Sequence, residues 1–316
     1  MSLIVLLLAI WFAREVLLLA LAGVLLAIIL RAVTDWLARL LHMRTGIALA
    51  LTCVLALVAV GLFFWFIAPR LSDEADAVSQ SIQSGWHRAV EWLHHSKWAG
   101  ALADSVQPGA SGFVFGALSG VGAAAGGVVI VLFLALFFAL DPGLYKRGLV
   151  KLVPKAAEAR GEQVLWKCGE QLRKWLLGKL LLMSFVGVAT ACGLWALGMP
   201  LILALAVLAA ALDFIPNFGP LIAAIPAALI AFSRSPMLAV EVIVLYTAVQ
   251  MTENYVLQPI VQQRAVALPP AVTLLSQVLM GTLLGPLGLV LATPLAVVGL
   301  TLVRTIYVED ILEKRG

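Results

Sequence analysis

The chain has 316 residues, 63% hydrophobic and only 12% charged, with 21 basic and 17 acidic side chains. Soluble domains average about 45–50% apolar and ~25% charged residues. A mean hydropathy of +1.06 therefore excludes a soluble globular enzyme, a coiled coil and a disordered chain. Most of the chain is expected to be dissolved in lipid.

The net charge of +4 does not point to nucleic acid, because nine basic residues are concentrated between Lys146 and Lys179, flanked by apolar runs. Basic loops beside spans mark a cytoplasmic face and meet anionic lipid, and no nucleic-acid recognition motif accompanies them. Cys53, Cys168 and Cys192 are odd in number and widely spaced, so neither a disulfide framework nor a zinc site is expected. The first apolar run lacks a basic leader and a small-residue cleavage site, so it does not read as a signal peptide.

Residues 3 to 30 are apolar except for Arg14 and Glu15. A bilayer core of ~30 Å takes about 20 helical residues, so this stretch is one long tilted helix or a short pair turning at the Arg-Glu step. The connector Arg31 to Gly46, with Arg31, Arg39 and Arg44 against Asp35, is expected inside. A span follows over 47 to 68, completing an N-terminal membrane region of residues 1–69.

Residues 70–112 form a second region, an amphipathic outer connector. Leu71, Ala75, Val78, Ile82, Trp86 and Val90 recur at helical spacing, and acids outnumber bases on the other face. Trp86, Trp92 and Trp98 suit a membrane interface. His94 and His95 are adjacent, so on a helix they point about 100° apart, and no metal site is expected.

A membrane helix is expected over 113–141, with small residues (Gly116, Gly120, Gly122, Gly126, Gly127) permitting close helix packing, ending at the turn Asp141-Pro142-Gly143. Residues 142–179 read as a basic amphipathic segment lying along the inner leaflet. The remainder, 180–316, reads as the transport region. A span over 180–199 is followed by a half-length apolar helix to residue 212, the break D-F-I-P-N-F-G-P (Asp213 to Pro220) and a second short run to 232. A span over 238–257 carrying Glu253 precedes another short run (271–280), the break G-T-L-L-G-P-L-G (Gly281 to Gly288) and a final apolar stretch. Two apolar hairpins broken by Gly and Pro are the pattern of discontinuous transporter helices. Irregular backbone at membrane depth survives only where protein or a water-filled cavity satisfies it. The two breaks are expected to enter from opposite faces and meet.

Over most of its length, and most strongly from Phe137 to the end, the chain resembles the autoinducer-2 exporter family, the PerM-like permeases. F-F-A-L-D-P-G (Phe137 to Gly143) is similar to the family's phenylalanine-rich helix end, here with Pro142 inserted. L-V-K-L-V-P (Leu149 to Pro154) is similar to its basic Leu-Leu-Pro segment. The isoleucine-proline-x-x-glycine-proline signature stands as Ile215, Pro216, Gly219 and Pro220, and E-N-Y-V-L-Q-P runs from Glu253 to Pro259. Gly285, Gly288 and Ala292 to Pro294 complete the set. The N-terminus departs from the pattern: it is shorter than the family's first two helices and lacks their intervening proline.

The resemblance implies an all-α, polytopic inner-membrane protein of about seven or eight transmembrane helices, with two broken or re-entrant hairpins in the C-terminal third. It implies export of a small polar solute such as a quorum-sensing signal, and a homo-oligomer, a pentamer. Some relatives are assigned to sodium–proton antiport, and a non-transporting membrane scaffold is the third reading.

Asp213 reads either as a hairpin-neck carboxylate or as a solute or proton site, since intramembrane acids are costly. Asn217, between Pro216 and Gly219, offers both a donor and an acceptor. Gln250, Asn254 and Gln258 share a helical face if the helix persists, with Glu253 beside them and Pro259 closing the segment. With Pro220, Gly285 and Gly288, these residues make the candidate path for a solute, protons or sodium. No enzyme constellation, nucleotide motif or cofactor box is present, so transport would be secondary or passive.

Overall fold

The computed structural model describes residues 13–62, 88, 125–262 and 268–312. The expected outer connector, 70–112, lies outside the described residues except for Arg88, as do residues 1–12 and the small-residue tract before residue 125. Every described element is helical. In chain order they are α1 (Arg14–Leu41), α2 (Thr45–Leu62), α3 (Ala125–Leu140), α4 (Pro142–Val150), a 3-10 turn (Lys155–Ala157) and α5 (Glu158–Ala196). There follow α6 (Ile202–Leu212), α7 (Phe218–Phe232), α8 (Pro236–Thr252), a π-turn (Glu253–Leu257), α9 (Gln258–Gln262), α10 (Pro270–Leu302) and a π-helical end (Val303–Leu312).

Two boundaries differ from expectation. The connector expected from Arg31 to Gly46 is helical as far as Leu41, because no Gly or Pro interrupts it and Thr34 and Leu37 continue the buried face of α1. His42, at φ 52°, closes α1, with its backbone N–H bonded to Ala38 O. The segment 142–179 is likewise not separate from the next span: from Glu158 it is one 39-residue helix, about 58 Å long at 1.5 Å per residue.

By length and composition α1, α5 and Pro270–Glu309 suffice to cross a membrane, and a fourth span arises if the bent pair of α3 and α4 counts as one. The third candidate is not straight. Gly285 has φ 70° inside α10, and a Cβ on Gly281 would lie 3.6 Å from the Leu289 side chain. Positions so far apart in a straight helix are separated by about 12 Å, so α10 doubles back at Gly285, as the sequence break predicts.

The chain divides into two compact units. The first is built from residues 1–59, 126–179 and 261–316. Its small core packs Ala27, Leu49, Ala135 and Ala139, and Gly23 lies so close to Leu134 that a Cβ would collide. The Arg31 guanidinium donates to Ala139 O (2.7 Å) and Leu140 O (3.2 Å) at the end of α3, satisfying carbonyls that a helix end leaves open. One residue later the Asp141 carboxylate accepts from Leu144 N (3.0 Å) and Pro142 takes the first turn, starting α4. The chain bends by 86° there, and Phe138 meets Tyr145 edge-on across the bend at 4.7 Å. Arg173 pairs with Asp35 at 3.3 Å, and α10 packs on α1.

The second unit comprises residues 60–125 and 180–260. Leu194, Ala209, Ala223, Ala227, Ile230 and Val242 centre its core. Small side chains here let helices approach closely, which in lipid substitutes for hydrophobic driving force: Gly193 receives the Leu245 side chain, and a Cβ on Gly187 would come within 3.0 Å of Ala210 Cβ. Ser235 caps α8 by accepting from Leu238 N (3.1 Å), and Arg234 donates to Gly198 O (2.9 Å), bracing the entry to α6. Arg88 donates to Ser233 O. Phe133 and Phe137 in the first unit, and Leu203, Val240 and Val244 in the second, are bare. Single exposed apolar residues are ordinary, but whole apolar helix faces are a solvation pattern for lipid rather than water.

Candidate functional site

The break after α6 is a compact turn with nearly all its backbone bonds made locally. Asp213 N bonds to Ala209 O (3.0 Å), Ile215 N to Leu212 O (2.9 Å), Phe218 N to Pro216 O (2.8 Å) and Gly219 N to Ile215 O (2.9 Å). Pro216 lacks a donor and so asks for none. This accounting explains how an irregular turn persists beside apolar helices.

The residue with positive φ in this turn is Asn217, at φ 66°, not Gly219. Gly219 is required for a different reason. A Cβ there would run into the Leu212 carbonyl, because α7 begins directly against the end of α6. Asn217 is exposed at the tip, whereas Asp213 is buried at 1% exposure. Both are engaged with other groups.

The second polar feature of this unit lies where α8 ends. Glu253 is 3% exposed, and Gln250 Nε2 donates to its Oε2 at 2.7 Å. The backbone widens here into a π-turn over Glu253–Leu257, a local insertion often found at functional sites. The α-helix thus does not persist through the expected amide stripe. Burial singles out the acid: Asn254 and Pro259 are exposed, while Gln250 and Gln258 are half-buried.

The other break belongs to the first unit. Gly285 takes the positive φ, and a Cβ on Gly288 would meet the Met280 carbonyl and Leu284 Cβ. Pro286 and Leu287 are exposed at this tip. Gln277, two turns before it, is fully buried at 0% exposure and engaged. Sequence reasoning misses Gln277 by treating 271–280 as uniformly apolar, although a lone amide inside a lipid-soluble run is the relevant signal. Lys179, buried within α5, is missed for another reason: it reads as the last charge of a basic surface segment. Among the described residues no group of three or more His, Cys, Asp or Glu could hold a metal ion.

A family model described as AI-2E family transporter matches residues 1–307. The YrrI protein of Bacillus subtilis (strain 168) is 32% identical over 162 residues, covering 51% of this chain and 46% of its own length. YueF of the same organism is 30% identical over 168 residues, 53% of this chain and 46% of its own. The AI-2 transport protein TqsA of Escherichia coli (strain K12) is 27% identical over 173 residues, 54% of this chain and 48% of its own. The matched stretch spans about half the length of these relatives.

Proposed function

The chain belongs to the AI-2E family of transporters, and on that premise we propose that it is a multi-pass membrane carrier that moves a small polar solute without nucleotide hydrolysis. One observation carries the reading. A single unit of an overwhelmingly apolar chain combines a broken hairpin holding buried Asp213 with a π-turn holding buried Glu253 against Gln250. Buried acids in lipid-embedded segments are expensive and are kept where a path or site needs them. TqsA is named as an AI-2 transport protein, which makes autoinducer-2 the first solute to test. The seven or eight spans, the inner-membrane location and a homo-oligomeric state, a pentamer, belong to the same proposal.

Asp213 and Glu253 favour a second reading, in which protons or sodium are exchanged, because among the candidate path residues of this unit the carboxylates, not the amides, are buried. Purified full chain in proteoliposomes separates the two. Counterflow of autoinducer-2 or another neutral polar solute, insensitive to sodium, supports the solute carrier. Sodium-dependent proton flux with no solute counterflow supports the antiporter. Neither flux, from protein shown to be folded and inserted, overturns transport and leaves the scaffold.

Access decides between a carrier and a fixed channel. A cysteine at Asn217, exposed at its hairpin tip, is expected to react from one face at a time as conditions change. Reaction from both faces in one fixed state overturns alternating access.

A further inference from the structure

Helix α4 is set at 86° to the apolar helix before it, so if α3 crosses the bilayer α4 runs close to the membrane plane. Its surface is mixed in a particular way. Leu144, Tyr145 and Leu149 are exposed, followed by Leu152 at 81%, and they alternate with Lys146, Arg147 and Lys151. Apolar side chains bare among lysines mark a helix partly sunk in the headgroup layer. Against this helix the first turns of α5 enclose a cleft of ≈ 590 Å³, lined by Lys146, Val150, Arg160, Gln163, Trp166 and Lys167 among others.

The cations of the cleft are held in place. Glu309 accepts from Lys167 Nζ at 2.6 Å and from Arg160 at 3.3 Å. Arg160 also donates to Gln163 Oε1 (2.9 Å) and Thr305 O (3.0 Å). Lys146 makes no ion pair among the described residues, and Trp166, 62% exposed, stands at the rim. Its amphipathic ring suits the membrane–water boundary.

We propose that this cleft seats the phosphate of an anionic phospholipid from the surrounding bilayer. Lys146 is the direct contact, Arg160 and Lys167 supply a fixed positive field, and Trp166 borders the glycerol region. Glu162, which also lines the cleft, and Glu309 offset part of that field. The site is therefore too weakly charged and too large to be built for a free inorganic ion, while the apolar surround fits a lipid. The inference needs the chain to lie in a membrane and is independent of what it transports.

Native mass spectrometry of the full chain in detergent, titrated with phosphatidylglycerol or phosphatidylcholine, tests it. Phosphatidylglycerol is expected to be retained in preference, and Lys146→Gln to weaken it about fivefold, the effect of losing one partly exposed ion-pair contact. Lys151→Gln, which removes an exposed charge outside the cleft, is expected to leave retention unchanged. Equal loss in both variants means diffuse surface attraction and overturns the site. Retention of both lipids alike overturns the headgroup assignment. Displacement of the lipid by sodium phosphate assigns the cleft to a free anion and overturns the lipid.

Discussion

In the hairpin of α6 and α7 the left-handed residue is Asn217 and the close approach is at Gly219; in α10 the two positions are Gly285 and Gly288. Each hairpin thus uses one residue to reverse the backbone and a glycine shortly after it to let the returning helix touch a carbonyl of the outgoing one. They differ in what else they carry. The first places an amide at its exposed tip and a buried carboxylate at its neck, while the second has only apolar side chains and a threonine from Gly281 to Gly288, its buried amide Gln277 lying two turns before Gly285. Glycine would serve the first turn at least as well as asparagine on steric grounds. The function proposed above therefore assigns the amide to the solute path and makes the first hairpin its candidate site.

The largest effects should come from the feature the hairpins share. Gly219→Ala and Gly288→Ala each push a methyl into a backbone carbonyl that cannot rotate away. Each is expected to cost about 3 kcal/mol, the upper end of overpacking penalties, seen as a lowered thermal midpoint and loss of monodisperse protein in detergent. A wild-type midpoint in either variant would show that the helices cross less tightly than the structure has them.

Next come the buried carboxylates, which among the described residues only the second unit combines with a broken hairpin. Asp213→Asn and Glu253→Gln preserve shape, and the carbonyl oxygen of the amide introduced by Glu253→Gln can still accept from Gln250. Flux in proteoliposomes is expected to fall at least about tenfold because the ionisable group itself is lost, with the thermal midpoint nearly unchanged. A loss of stability equal to the loss of flux would reduce both acids to structural anchors.

Gly285→Ala removes no contact and only forces a Cβ into a positive-φ, extended-ψ conformation (φ 70°, ψ −157°) open essentially to glycine alone, at about 2 kcal/mol. It should therefore be milder than Gly288→Ala three residues away, and the reverse order in thermal unfolding would contradict the division of labour between the two positions. Smallest of all, Asn217→Gly should shift stability by only ~0.5 kcal/mol. Its flux should nevertheless drop relative to wild type. Unchanged flux would make the two hairpins equivalent and remove the reason to place the site at the first.

Much of this is legible in the sequence because lipid imposes strict local rules. Composition points to a membrane protein, Asp141-Pro142-Gly143 marks the end of α3, and the Gly-Pro clusters mark both hairpin turns. The misses share a physical origin. Arg31 to Leu41 reads as a loop from its charge, yet Arg31 is used to close the C-terminal end of α3, a partner more than a hundred positions away. The amide stripe assumes a regular helix, whereas the backbone widens at Glu253, and nothing in the local sequence announces that insertion.

The sequence by itself determined the solvent, the helical class, the breaks and the family, since each follows from side-chain polarity or from residues with restricted backbones. Tertiary structure decided which glycine serves a close approach and which a left-handed turn, which polar groups are buried, and which basic residues face a common cleft. Those outcomes depend on distances between segments remote in the chain. Asp213 and Asn217 illustrate the limit: four positions apart and both polar, they differ from buried to exposed only because α7 returns against α6.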